Sequence, residues 1–260
     1  MTLEAVVFDV DGTLADTERH GHRVAFNQAF AEANLPYEWD AESYGVLLEL
    51  PGGEGRIARY LAAQGHEAGA AASMARALHR RKQDHFLALV RAGAIPPRPG
   101  MLRLIDELNA AGVRLGVATT GGRVWVIELL RTVFGPVRTR TFGAVVTSED
   151  VDVHKPDPAA YRIALERLDC PADHAVAVED SAVGLRAAKA AGLACLAVRN
   201  SYTRHHDFTG ADLVVDGLGD GEGNGEGAGV VANPHGIIVE PVLGVETLRR
   251  LVSATAAAAA

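Results

Sequence analysis

Apolar residues come in short blocks along this chain, and the rhythm of the blocks changes near residue 100. Residues 5 to 9, Ala-Val-Val-Phe-Asp, form an apolar run ending in an acid. That is the pattern of a buried parallel strand whose last residue emerges at the carboxyl edge of a sheet. Asp11-Gly12-Thr13 follows with turn chemistry. Residues 17 to 95 have helical periodicity and predict helices over 17–33, 53–64 and 69–91, with breaks at Pro36, Pro51 and Gly52-Gly53. The cluster Ile95-Pro96-Pro97-Arg98-Pro99-Gly100 closes this region as a hinge.

Beyond the hinge, helix and strand patterns alternate. Helices are predicted over 101–111, 123–133, 157–168 and 181–191, and strands over 113–118, 142–147, 175–178, 194–198 and 212–216. Strands separated by helices of about 10 to 15 residues imply βαβ units on a parallel sheet. The expected architecture is α/β, a three-layer Rossmann-like core on a parallel sheet, with a helical domain inserted after the first strand. Its boundaries are 1–15 and 97–260 for the core and 16–96 for the insertion. Residues 217–229, with glycine at every second position, have the composition of a flexible loop, and Ala256 to Ala260 reads as a frayed helix end.

Composition narrows the function. The chain has 260 residues and a formal charge of -8, from 33 acidic against 25 basic side chains. Duplex binding and anionic membrane surfaces both need a basic face, so neither nucleic acid nor membrane is an expected partner. No apolar run approaches the roughly 18 residues of a membrane span. Cys170 and Cys195 are the only cysteines, too few for a disulfide framework, and read as reduced buried thiols. The expectation is a cytoplasmic monomer. Only three of the basic residues are lysines, Lys82, Lys155 and Lys189, which marks each for inspection.

Four short segments carry candidate chemistry. Asp9-Val10-Asp11-Gly12-Thr13-Leu14 follows the first strand, and carboxylates two residues apart on extended chain point the same way. Like charges held that close call for a hard cation or a shared proton. Val178-Glu179-Asp180-Ser181 repeats the pattern at a second strand end and also suits a helix N-cap. Neighbouring strand ends in a parallel sheet would gather these acids into an oxygen-rich site suited to Mg²⁺. Thr119-Thr120-Gly121 offers hydroxyls and amides before a helix, which serve either phosphate or ordinary capping. Lys155-Pro156 places an ammonium at a helix start, facing either phosphate or solvent.

Taken in order, Asp9-Val10-Asp11-Gly12-Thr13, Thr119, Lys155-Pro156 and Glu179-Asp180-Ser181 resemble the haloacid dehalogenase superfamily. The resemblance implies a helical cap for the insertion and an aspartyl-phosphate mechanism. It makes Asp9 the nucleophile and Asp11 the general acid, then base. It places Mg²⁺ on the Asp9 carboxylate, the Asp11 carbonyl and Asp180, with Glu179 assisting. Thr119 and Lys155 would bind the phosphoryl oxygens, with the amides of Thr120 and Gly121 adding donors. The second acid, Asp11, favours phosphoryl chemistry over dehalogenation, which needs neither a proton nor Mg²⁺.

Asp16 to Arg23, Gly52-Gly53-Glu54-Gly55-Arg56 and Tyr202-Thr203-Arg204-His205 resemble the CbbY-type branch of that superfamily. The branch implies a small phosphorylated sugar as partner, xylulose-1,5-bisphosphate, with Glu18, His22 and Arg56 as contacts to sugar or distal phosphate. Glu54 stands where that branch carries lysine in Gly-Gly-Lys-Glu-Arg. The expected activity is therefore a Mg²⁺-dependent sugar-phosphate phosphatase. A phosphosugar mutase of the β-phosphoglucomutase type shares the fold and all four motifs. A non-catalytic module that binds Mg²⁺ and phosphate would show binding without turnover.

Overall fold

The computed structural model describes residues 2–50, 52–219 and 227–259. The chain forms two compact units, Met1–Ala15 with Pro97–Ala260, and Asp16–Pro96. The first is built on a seven-stranded sheet. Its strands are β1 (Ala5–Phe8), β2 (Arg114–Ala118), β3 (Phe142–Val146), β4 (Ala175–Glu179), β5 (Ala194–Val198), β6 (Leu213–Val215) and β7 (Val230–Ala232), in the order β3-β2-β1-β4-β5-β6-β7. The first six run parallel, and β7 pairs antiparallel with β6.

Burial on both faces explains the sequence of the central strands. Every residue of β1, β4 and β5 is buried, so these strands read as continuous apolar runs instead of alternating ones. The register Phe8 with Val117 and with Val178 aligns the carboxyl ends of β1, β2 and β4. Between β1 and β4 the chain order reverses direction across the sheet. A crevice opens at such a switch point, outside the carboxyl ends of the strands.

The inserted unit comprises a π-helical turn at Glu18–His22 and helices α1 (Arg23–Glu32), α2 (Ala41–Leu47), α3 (Gly53–Ala63) and α4 (Ala68–Arg91). The single helix predicted over 17–33 is thus a π turn running into α1. Helix α2 lies in a stretch where no element was expected, and Asp40 explains it. The Asp40 carboxylate accepts the Ser43 N–H at 2.7 Å and caps a segment of weak periodicity. The core of this unit is aromatic. Phe30 is fully buried among Trp39, Tyr37 and Tyr60, with ring centroids 4.9, 6.0 and 6.3 Å away.

In the sheet unit the helices are α5 (Met101–Ala110), α6 (Arg123–Thr139), α7 (Ala159–Arg167), α8 (Ala182–Ala190) and α9 (Val245–Ala259). Helix α6 continues past its predicted end at 133. Gly135 takes a positive φ of 74°, and Pro136 restarts the helix at a position that needs no N–H. Strand β7 follows the glycine-rich stretch directly. Of that predicted loop, residues 220–226 lie outside the described residues. Helix α9 extends well upstream of the alanine run that predicted its end. Among the described residues no helix is long and apolar enough to cross a membrane.

Phe30→Ala would remove the centre of the aromatic cluster. A loss of about 3–5 kcal/mol is expected for an aromatic side chain truncated in a packed core. The two tryptophans, Trp39 and Trp125, fall in different units. Urea unfolding followed by Trp39 fluorescence in a Trp125→Phe background would measure the loss in the inserted unit.

Candidate active site

The carboxyl ends of β1 and β4 carry the acids. Asp9 follows β1, and its N–H donates to the Val178 carbonyl of β4 at 3.0 Å, which locks the two strand ends together. Glu179 is the last residue of β4 and Asp180 the next. Asp9, Glu179 and Asp180 are all buried, and one oxygen of each lies within 4.8 Å of the others. Gly12 turns the chain sharply at φ +79°. A Cβ there would meet Asp180 Oδ2 at 2.4 Å, so only glycine lets this loop close over the acid.

Lys155 enters from the loop between β3 and α7. Its Nζ donates to Asp9 Oδ1 at 2.7 Å, to Glu179 Oε1 at 2.6 Å and to Tyr161 Oη at 3.5 Å. An ammonium has three hydrogens, and three acceptors surround this one. Tyr161 lies with its ring under the ammonium, 4.9 Å from Nζ to centroid, and its hydroxyl donates to Glu179 Oε1 at 2.6 Å. The second oxygen of Glu179 accepts from the Ser181 hydroxyl and the Asp180 N–H at 3.4 and 3.3 Å. Glu179 is thus woven into the positioning of Lys155 as well as standing beside the other acids.

The electrostatics follow from burial. Desolvation raises the Asp9 pKa to about 7, opposed by Lys155 and assisted by the charges of Glu179 and Asp11. Burial also pushes Asp180 well above the usual carboxylate range, with Asp9 and Glu179 adding to it. Burial alone would lower Lys155, but Asp9 and Glu179 outweigh it and hold the ammonium above its ordinary value. Three carboxyl groups crowded out of water, two of them bonded to Lys155, need a shared proton or a cation to relieve their repulsion. The donor set is all oxygen, which fits a hard divalent cation.

Thr119 follows β2 and is buried, its N–H bonded to the Val146 carbonyl at 3.0 Å. Its hydroxyl oxygen accepts the Gly121 N–H at 3.0 Å, so that amide is already engaged, while Thr120 is exposed. Asp11 sits two residues past Asp9 on the same loop, close enough for its charge to bear on Asp9.

The remaining predicted residues lie in the inserted unit. Glu18 accepts the Tyr44 hydroxyl at 2.6 Å. Arg56 is buried on α3. Its Nε and Nη2 donate to the carbonyls of Leu47 and Leu50 at 2.8 and 3.1 Å, capping α2, while Nη1 reaches the Tyr44 hydroxyl at 3.4 Å. His22 stacks on Phe86 and accepts from Lys82 Nζ at 2.8 Å. An ammonium only donates, so His22 Nδ1 is the acceptor and its proton sits on Nε2. Lys82 itself is buried over the rings of Phe26 and Phe86. It was singled out from the sequence only by the rarity of lysine. Tyr161 and Asn200, which hold Glu179 and Asp180, gave no sequence signal at all.

This arrangement defines a class. Residues 3–192 match the family model of haloacid dehalogenase-like hydrolases, and the chain belongs to that family of hydrolases. Protein CbbY of Cereibacter sphaeroides is 46% identical over 84% of this chain and 94% of its own length. A crystal structure of a CbbY mutant from Rhodobacter sphaeroides in complex with xylulose-1,5-bisphosphate superposes with a TM-score of 0.70 at 44% identity, covering 83% of this chain and 95% of that one. The β-phosphoglucomutase of Bacillus subtilis is 26% identical over 82% of this chain and 89% of its own.

Gly184 on α8 tests the packing around Glu179. A Cβ at Gly184 would lie 1.9 to 2.0 Å from the buried Glu179 carboxylate. Glycine to alanine in an exposed helix stabilises by about 1 kcal/mol. Here the overlap should reverse the sign, and Gly184→Ala is expected to cost about 1–3 kcal/mol, as overpacking does. Thermal or urea unfolding of the two proteins gives the comparison.

Proposed function

We propose that this hydrolase is a Mg²⁺-dependent sugar-phosphate phosphatase acting through an aspartyl-phosphate on Asp9, with a pentulose bisphosphate such as xylulose-1,5-bisphosphate as substrate. The observation that carries the reading is a buried nucleophile candidate, Asp9, bonded to Lys155 beside Asp180 at one strand-end crevice. The CbbY relatives support the choice of sugar, since one of them is seen with that bisphosphate bound.

In this reading an Asp9 carboxylate oxygen attacks phosphorus. A bond forms from Asp9 to phosphorus as the bond to the sugar oxygen breaks, and Asp11 gives that oxygen a proton. Asp11 then takes a proton from water, the water oxygen attacks phosphorus, and Asp9 is released as a carboxylate. Lys155 and the Thr119 hydroxyl bind the phosphoryl oxygens and meet the charge that spreads over them in the transition state. Asp9, the Asp11 carbonyl and Asp180 would hold Mg²⁺, with Glu179 assisting. The cation supplies charge neutralisation and a template for the phosphoryl group. Thr120 contributes its amide, that of Gly121 being held by the Thr119 hydroxyl, and Glu18, His22 and Arg56 contact the sugar or its distal phosphate. The inserted unit serves as cap. A cytoplasmic monomer completes the reading, and the two free, buried thiols support a reducing compartment.

The test is inorganic phosphate release from pentose and hexose mono- and bisphosphates, with Mg²⁺ and with EDTA. Release from a pentulose bisphosphate that stops in EDTA, returns with Mg²⁺ and vanishes in Asp9→Asn is the expected result. Isomerisation of a hexose 1-phosphate with little phosphate released would replace phosphatase by mutase. Binding of Mg²⁺ and phosphate with no turnover would replace both by a binding module.

A pH dependence follows from Asp9. Its raised pKa means that the carboxylate takes up a proton as pH falls through about 7 in the cation-free protein. A proton on a ligand competes with the cation, so Mg²⁺ affinity is expected to weaken between pH 8 and pH 6. Calorimetric titration with MgCl₂ at the two pH values measures it, and an unchanged affinity would contradict the involvement of Asp9.

A further inference from the structure

Asp180 is buried, and each of its oxygens meets a donor from another part of the chain. Thr13 Oγ1 donates to Oδ1 at 3.3 Å, and Asn200 Nδ2 donates to Oδ2 at 2.6 Å. Asn200 lies two residues beyond β5, the strand next to β4. The same Nδ2 reaches the Gly12 carbonyl at 3.4 Å, so one side chain ties the loop after β1 to the acid after β4. Asn200 is itself fixed from its own loop. Its Oδ1 accepts the Tyr202 N–H at 2.8 Å, and its backbone N–H donates to Thr203 Oγ1 at 2.9 Å.

The chemistry of the amide suits this place. A lysine or arginine at Asn200 would neutralise Asp180 and repel a cation from it. An apolar residue would leave a buried carboxylate oxygen without its donor. A carboxamide satisfies that oxygen and leaves the negative charge of the site in place. The strongly bonded oxygen is also held in one orientation, which removes rotamer freedom that a ligand would otherwise lose on binding.

We propose that Asn200 is a positioning residue for a divalent cation, setting the orientation of Asp180 and its spacing from the Gly12 turn. The proposal rests on the reading of Asp180 as a cation ligand. Partners of metal ligands commonly carry about 10- to 100-fold in metal affinity, and a loss of that size is expected for Asn200→Ala.

Calorimetric titration of the full chain with MgCl₂, and separately with MnCl₂, reads affinity without reference to turnover. The proteins are the wild type, Asn200→Ala and Asp180→Asn. Weakened binding in Asn200→Ala, abolished binding in Asp180→Asn and phosphate release by Asn200→Ala that recovers at saturating Mg²⁺ are the expected results. A merely structural role would lower the melting temperature and leave the Mg²⁺ affinity alone. Equal affinity in Asn200→Ala and wild type would overturn the role of Asn200 while the cation site stands. A wild type that takes up neither cation would overturn the cation reading, and this proposal with it. Should the alanine variant not fold, Asn200→Ser, too short to reach Asp180, is read in the same way.

Discussion

One buried ammonium organises the sheet edge of this protein. Taking Lys155, Asp9 and Glu179 out of water is costly for each charge alone, and only their mutual contacts make the burial tolerable. The surrounding structure follows from keeping that cluster intact. Glycine at 184 leaves room for the Glu179 carboxylate, and glycine at 12 lets the first loop close over Asp180. Tyr161 fills the remaining side of the ammonium with a ring and a hydroxyl. The strand register places the contributing ends at one height.

The cluster was legible because of where its acids stand. A buried strand reads as an apolar run, so an acid closing such a run announces a strand end, and Asp9 and Glu179-Asp180 were both found in that way. Lys155 was found by its place in the motif order. Tyr161 and Asn200 were not, because nothing local marks them. Tyr161 lies within a helix whose apolar face needs a large residue there, and Asn200 follows a strand where a polar residue is ordinary. Their meaning is set by contacts with residues 18 and 20 positions away in sequence, which periodicity does not encode.

Elsewhere in the fold, too, single contacts decide what local pattern does not. Central strands and the helices between them were legible from burial on both faces. Helix α2 depends on one capping carboxylate, and the continuation of α6 depends on a glycine–proline pair that usually marks an end. In the inserted unit, Arg56 was selected for its charge. Its Nε holds the last carbonyl of α2 and its Nη2 the turn that follows, so charge and architecture meet in one side chain.

The scarcity of lysine acquires a concrete meaning from the contacts. Lys82 and Lys155 are buried, and Lys189 is bonded to Asp212 at 2.6 Å with about a third of its side chain exposed. The positive charge of the surface is therefore carried almost wholly by guanidinium groups. Amine-directed chemistry such as acylation finds few targets on the folded protein, and the amine of Lys82, buried over two aromatic rings, becomes reactive only when the inserted unit opens. Acylation of Lys82 is thus a built-in gauge of local opening in that unit.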